Sequence, residues 1–338
     1  MMKRYEIDDF GIDRLKLVTA PRPVPKAGEI LVEVEAVSLN YRDLVVAENG
    51  MTATLQFPFT PASDMAGRVV EVGEGVTRFA PGDRVISTYI TNWIDGEPLL
   101  WANSPTQGGP IPGMLSEYVA TPADWCVLAP DSLTAVEAAT LPIAALTAWM
   151  ALIELGRLRP GQSVVVQGTG GVSLFAVQFA AAAGANVIVT SSSDDKLGRA
   201  KALGATHGIN RNTTPDWEQA VAELTGGRGA DHILEMAGGE NLKKSIAAVA
   251  PGGRISIIGL LDSEELSTPI MALLASRAAI VAVAVGPRRV LEDVVRTVDH
   301  HAIKPVIDAV YDFSQAAEAF AHLERGAFGK VVIQVRKQ

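Results

Sequence analysis

The sequence predicts an α/β chain of two domains: a mostly antiparallel, irregular barrel and a doubly wound parallel sheet. Three observations predict it. The 338 residues suit two domains at about 150 residues each. The first third breaks into short strands punctuated by glycine and proline, and from Ser163 to Ile258 strands and helices alternate regularly.

In the first third, Ile30–Val37 alternates, with Val32, Val34 and Ala36 on one face and Glu33 and Glu35 on the other. That is the pattern of a half-buried antiparallel strand. Arg68–Val72, Arg84–Tyr89 and Ser116–Thr121 are further short strands, joined through Gly73, Gly75 and the Pro81-Gly82-Asp83 turn. Residues 93–113 read as a long loop rich in proline and glycine. Helical periodicity follows over Thr134–Leu141 and Ile143–Leu155.

The alternation then runs through strands Ser163–Gln167, Asn186–Thr190, His207–Asn210, Asp231–Glu235 and Arg254–Ile258. The intervening helices are Val172–Ala183, Asp194–Leu203, Asp216–Leu224 and Asn241–Ala248. This is the βαβ pattern of a parallel sheet covered on both faces. Ala279–Val285 adds one more strand. After Pro287 come a helix to about His301, a strand over Val306–Tyr311, a helix over Ser314–Arg325 and a last strand over Lys330–Val335. The apolar stripe of that last helix is expected at Ala317, Phe320, Ala321 and Leu323. Periodicity leaves open whether these closing elements extend the parallel sheet or return to the first domain.

Composition narrows the function. Hydrophobic residues make up 48% and charged residues 20%, a globular balance. Lys and Arg total 29 against 38 Asp and Glu, a net charge of −9, which argues against a nucleic-acid partner. The first ten residues carry two basic groups with no apolar run behind them and do not read as a secretory signal. The uncharged run Gln162–Ser193 is broken by Gly168, Gly170, Gly171 and Gly184, so it reads as strand, turn, helix and strand, not as a membrane span. A soluble cytoplasmic protein without a membrane partner is the expectation. The single cysteine, Cys126, excludes an internal disulfide. The five histidines, His207, His232, His300, His301 and His322, all lie beyond residue 206, leaving earlier residues poor in nitrogen and sulfur ligands for a metal.

Val164 to Ser173 carries a glycine turn, Gly168-Thr169-Gly170-Gly171-Val172-Ser173, between a strand and a helix. Such a turn lets the backbone approach a pyrophosphate while the helix N-terminus presents free N–H groups. Ser173 replaces the third glycine of the motif. The second strand ends in Ser191-Ser192-Ser193 with no acidic residue at its tip. These hydroxyls, Lys196 and Arg211 suit a 2′-phosphate and so NADP(H) over NAD(H). The alternative for Ser193 is a plain helix N-cap, and both roles are compatible.

On these residues the chain resembles the medium-chain dehydrogenase/reductase superfamily, and within it the zinc-free quinone oxidoreductase-like branch. The resemblance rests on Asn40-Tyr41-Arg42-Asp43, Pro58–Gly67, Val72–Val76, Pro81–Val85, Ala145–Trp149, Gly168–Val172, Ala202–Ala205, Gly252–Arg254 and Gly329–Val332. It implies a GroES-like catalytic domain (1–131 and 287–338) with an inserted Rossmann domain (132–286). It places Asn40, Tyr41 and Thr147 at the catalytic site, and adds Gly259 and Lys330 to the cofactor contacts Gly168, Thr169, Gly170, Gly171, Val172, Ser191, Ser192, Lys196 and Arg211. Zinc-dependent members would carry ligands where this chain has Asn40, Ser63 of Ala62-Ser63-Asp64 and, more loosely, Ile143, so no metal is expected. Arg42 and Asp43 are expected to form an ion pair or a helix-start contact. Tyr41 is a candidate proton donor, with a pocket wall as its alternative. Tyr89, Trp93 and Trp101 either shape the acceptor pocket or anchor the loop. The implied reaction is hydride transfer from NADPH to a small electrophilic acceptor, a quinone or an α,β-unsaturated carbonyl. An alcohol or aldehyde dehydrogenase and a non-catalytic NADPH-binding protein are the alternatives. The resemblance also implies a homodimer formed through the Ala279–Val285 edge.

Overall fold

The computed structural model describes all residues except 52, 53, 101, 102, 262, 264, 337 and 338. It divides into two compact units, Met1–Leu146 with Val285–Gln338, and Thr147–Ala284.

The first unit opens with an antiparallel pair, β1 (Met2–Glu6) and β2 (Lys16–Ala20). Its main sheet is built on β3 (Glu29–Leu39), with β4 (Asp64–Val72), β5 (Arg84–Ser87), β6 (Tyr118–Pro122) and β7 (Cys126–Leu128). The order β14-β15-β3-β4-β5-β7 is completed by β14 (Ile307–Asp312) and β15 (Lys330–Gln334), and β6 also pairs with β3. The closing elements therefore return to this unit. One side of β3 pairs with β4 along its length; the other pairs with β6 over Glu29–Glu33 and then with β15 over Ala36–Leu39. Register shifts after Leu31 and Val34 let the strand bend between these partners. The strand is also buried on both faces, unlike the half-exposed one expected from its alternation: Leu31, Val37 and even Glu35 are buried.

Helix α1 (Tyr41–Asn49) leaves β3 directly, and α2 (Ala135–Ala138) follows β7. From Leu141 to Glu154 the chain is helical, with wide π-type turns at Leu141–Ala145 and Met150–Glu154 flanking α3 (Leu146–Trp149). Residues 132–146 group with the first unit, beyond the boundary implied at 131, because later elements of that unit hold them. The Asp299 carboxylate accepts the Asp131 and Ser132 N–H groups at 3.1 and 2.9 Å, and Lys304 donates to the Ser132 carbonyl at 2.7 Å.

The second unit is a six-stranded, wholly parallel sheet in the order β10-β9-β8-β11-β12-β13. Its strands are β8 (Ser163–Gln167), β9 (Asn186–Ser191), β10 (His207–Asn210), β11 (Ala230–Glu235), β12 (Val249–Ile257) and β13 (Ala279–Ala282). The helices are α4 (Gly171–Ala182), α5 (Asp194–Ala202), α6 (Trp217–Leu224), α7 (Asn241–Ala248) and α8 (Ile270–Ser276). Val164, Val165 and Val166 are all fully buried, as a central parallel strand requires.

In the first unit, α9 (Arg288–His301) buries Val290, Leu291, Val294 and Val298. Helix α10 (Ala316–Arg325) buries Ala316, Ala319 and Phe320, a stripe turned from the expected one, and Ala317 faces solvent. Phe320 enters the core that β3, β4 and β15 share through Val32, Val34, Met65, Val331 and Ile333.

Candidate active site

In the second unit the chain runs from β8 outward to β9 and β10, then crosses back to β11 on the other side of β8. Loops therefore diverge at the carboxyl ends of β8 and β11, where open parallel sheets take ligands. Gly168, Thr169 and Gly170 form the turn after β8, and Gly171 and Val172 begin α4. Gly168 has φ of +75°, which favours glycine. A Cβ on Gly170 would point into open space, so the backbone is free to approach a ligand there. Ser173, in place of the third glycine, donates from Oγ to the Gln167 carbonyl at 2.8 Å and ties α4 to β8.

The structure brings the hydroxyl and cationic candidates to one place. Ser191 ends β9, and its carbonyl accepts the Arg211 N–H at 2.9 Å; Asn212 donates to the Ser192 carbonyl at 3.0 Å. Lys196 lies on the first turn of α5, and its N–H donates to the Ser193 Oγ at 3.4 Å, so the N-cap role of Ser193 holds. Gly259, just past β12, lies against Met236, just past β11, whose backbone leaves no room for a Cβ there.

One device here escaped the sequence reading. The buried Glu235 carboxylate accepts from the N–H groups of Ala237 (3.0 Å) and Gly238 (3.1 Å), from Asn241 Nδ2 (2.8 Å), from Gln167 Nε2 (3.0 Å) and from Ser245 Oγ. Gln167 Oε1 in turn accepts the Met236 N–H at 3.1 Å. This network fixes the loops after β8 and β11 to each other. The only local signal was a glutamine and a glutamate at the carboxyl ends of two buried strands.

In the first unit a second polar cluster forms where β3, β4 and β15 meet. Asn40, at the junction of β3 and α1, donates from Nδ2 to Asp64 Oδ2 at 2.9 Å. The Ile143 N–H reaches the same oxygen at 3.3 Å, and Lys330 Nζ donates to Asn40 Oδ1 at 2.6 Å. Asp64 is wholly buried, and its Oδ1 has no partner among the described residues. Burial pushes its carboxyl up to about 7, against the opposing pull of Lys330. Burial likewise lowers the Lys330 ammonium from its usual value.

Beside this cluster, the Asp43 carboxylate accepts the Asn40 N–H at 2.9 Å, and Arg42 lies 3.2 Å from Asp43 Oδ1, so both expected roles of that pair are present. Ser63 Oγ bonds the same carboxylate. Arg42 reaches on to the carbonyls of Gln107 (3.3 Å) and Gly108 (3.0 Å) and stacks over the Tyr89 ring at 5.0 Å, anchoring the long loop. Trp93 is buried, with Nε1 donating to the Gly96 carbonyl at 2.9 Å, so Tyr89 and Trp93 have loop-anchoring contacts. Trp101 lies outside the described residues.

Tyr41 is half exposed at the start of α1, whereas Thr147 is buried and belongs to the second unit. Lys330, grouped above with the cofactor contacts, lies in the first unit with its ammonium on Asn40. Cys126 is wholly buried, and burial pushes its thiol up to about 12, the behaviour of a small hydrophobe.

The Asp64 carboxyl generates a prediction. A folded-state value raised above the unfolded one near 3.8 stabilises the fold fully below that lower value, and the stabilisation is lost as pH rises to about 7. Asp64→Asn should therefore flatten the loss of stability between those limits, by about 2–4 kcal/mol across the window. Urea midpoints measured at several pH values check it; parallel profiles for the two proteins would count against it.

Residues 26–131 match the family described as Alcohol dehydrogenase GroES-like domain, and residues 171–300 match that described as Zinc-binding dehydrogenase. A zinc-type alcohol dehydrogenase-like protein of Schizosaccharomyces pombe is 42% identical over 345 residues, covering 99% of this chain and all of that one. A crystal structure of a candidate alcohol dehydrogenase from Sinorhizobium meliloti 1021 is 55% identical, with a TM-score of 0.95 over 99% of this chain and 98% of that one. An NAD-dependent alcohol dehydrogenase structure is 35% identical, with a TM-score of 0.90 over 99% of this chain and all of that one. With the antiparallel sheet of one unit, the parallel sheet of the other and relatives matched from end to end, the chain belongs to the medium-chain dehydrogenase/reductase superfamily of nicotinamide-dependent oxidoreductases.

Proposed function

We propose that this chain is an NADP(H)-dependent reductase that delivers hydride to a conjugated carbonyl or quinone without a metal ion. The observation that carries the metal-free part is the cluster of Asn40, Asp64 and Lys330. By the resemblance, the positions at which zinc-dependent members hold their metal carry an amide, the hydroxyl of Ser63 and, more loosely matched, the apolar Ile143. One carboxylate, Asp64, stands among them, and the Lys330 ammonium is hydrogen-bonded to the amide. A dication set against Asn40 would face that buried cation at short range, where charges are poorly screened. Among the described residues no group of three or more His, Cys, Asp and Glu side chains is placed to hold a metal. The donor set does not fit zinc.

The glycine turn and α4 N-terminus fit a dinucleotide, and Ser191, Ser192, Lys196 and Arg211 support a 2′-phosphate on its adenosine ribose. Bound there, a reduced nicotinamide supplies the hydride. Thr147 holds its carboxamide or lines the pocket. Asn40 hydrogen-bonds the acceptor oxygen, where negative charge develops as hydride reaches the conjugated carbon. Tyr41, half exposed, donates the proton that converts the resulting enolate to product.

A second reading, an alcohol dehydrogenase, is favoured by the names of the relatives. One experiment separates the two. Oxidation of NADPH and of NADH is followed with a quinone, an enone, an enoyl thioester and an aldehyde, each with and without a chelator. The proposal expects turnover of a conjugated acceptor, preference for NADPH and indifference to the chelator. Chelator-abolished turnover of the aldehyde alone establishes the second reading. NADPH binding with no turnover on any acceptor leaves a non-catalytic binding protein.

In the same assay Tyr41→Phe should lower kcat on an enone by about tenfold or more. An unchanged rate removes the phenol from the mechanism.

A homodimer is part of the proposal. Strand β13 forms one edge of the parallel sheet, and the neighbouring α8 exposes Ile270, Met271 and Leu274 at 74%, 73% and 62%. An apolar patch beside an open edge favours a second copy of the chain. Sedimentation should show a dimer for the wild type and a monomer for Ile270→Glu; two identical profiles would place the interface elsewhere.

A further inference from the structure

The cluster in the first unit contains a choice that simple charge neutralisation does not explain. Asp64 and Lys330 are both buried, and an ion pair between them would be the direct way to accommodate two opposite charges. Among the described residues they make no such contact. The Asn40 amide stands between them, taking the ammonium on Oδ1 at 2.6 Å and giving one N–H to Asp64 Oδ2 at 2.9 Å. Asp64 Oδ1 is left without a partner. The Asn40 main chain is itself held, with its N–H on Asp43 Oδ2 at 2.9 Å and its carbonyl accepting the Asp43 N–H at 2.9 Å. An asparagine side chain has two N–H donors, and the second one of Asn40 has no acceptor among the described residues.

We propose that Lys330 is a positioning residue for hydride transfer: its ammonium, bonded to the Asn40 carbonyl oxygen, polarises the amide and strengthens the remaining Asn40 N–H as the donor to the substrate oxygen. The inference rests on the metal-free reading above and supplies the positive charge that such a site requires. A cation on the carbonyl side withdraws electron density from the nitrogen, and hydrogen bonds in a chain strengthen one another. The Asp64 bond fixes the plane of the amide, so the free N–H has one direction. During reduction, hydride from the dihydronicotinamide adds to the β-carbon of a conjugated carbonyl, and the π-electron pair moves to oxygen. The Asn40 N–H meets that oxygen, and a proton from Tyr41 or solvent completes the product. Lys330 keeps its proton throughout.

The test compares Lys330→Met, Asp64→Asn and the double variant, on the conjugated acceptor turned over fastest. A counterion role and a polarising role diverge in the double variant, which removes both charges with little change of shape. The polarising role expects kcat lowered about 10- to 100-fold in Lys330→Met, with KM for NADPH within about twofold. It also expects the double variant to regain thermal stability and not kcat. Recovery of kcat to within about threefold of wild type in the double variant overturns it. A second readout needs no turnover and no metal-free assumption. The Asn40 side-chain amide protons, identified by their loss in Asn40→Asp, should resonate further upfield in the double variant than in Asp64→Asn. Coincident resonances overturn the proposal even if no acceptor is reduced. Chelator-sensitive turnover with a shifted resonance instead overturns only the metal-free reading.

Discussion

A buried ammonium has to be hydrogen-bonded, and Lys330 meets that requirement through Asn40. Much of the first unit serves this bond. It needs β15 beside the end of β3, so that the first residue of one strand faces the residue just after the other. It needs β4 on the opposite side of β3, so that Asp64 receives the other end of the amide. It also needs the turn at Leu141–Ala145 close enough for the Ile143 N–H to share the carboxylate. The bend in β3, produced by its two register shifts, lets one strand serve β6 early and β15 late.

The two units treat a buried carboxylate in opposite ways. Glu235 is saturated with donors from the loop after β11, from α7 and from the end of β8, which ties the carboxyl ends of β8 and β11 together. Asp64 keeps one oxygen without a partner, and burial raises its carboxyl. A saturated group is scaffold. A partly satisfied one stores electrostatic tension that structures tolerate mainly where chemistry uses it. The glycine turn thus follows directly on the saturated network, and the chemistry proposed above uses the partly satisfied one.

Local signals made the parallel sheet legible. The continuous apolar run Val164–Val166 between Gly161 and Gly168 marks the doubly buried β8 at its observed limits, and the expected bounds of β10 and α7 also match the observed ones. The alternation of β3 misled, since Leu31, Glu35 and Val37 on its second face are buried by segments that no local pattern reports. The stripe of α10 turned for the same reason: its neighbours select the face. At the site, Asn40 and the glycine turn were visible as motifs. The partnership of Lys330 with Asn40, the reach of Arg42 to Gly108 and the Gln167–Glu235 network were not. Each joins residues far apart in sequence, and side-chain identity does not reveal which distant strand will lie alongside.

The interrupted path of the first unit also sets an order of assembly. The parallel-sheet unit is one continuous segment, Thr147–Ala284, and all of it leaves the ribosome before Lys330 is made. Domains generally fold as units during synthesis, at roughly 5–20 residues per second. For tens of seconds, on that order, the nascent β3–β4 pair has Asp64 without its cation and one side of Ala36–Leu39 without β15. The newborn first unit is therefore an open sheet awaiting its last strand, the state in which a chaperone has most to protect.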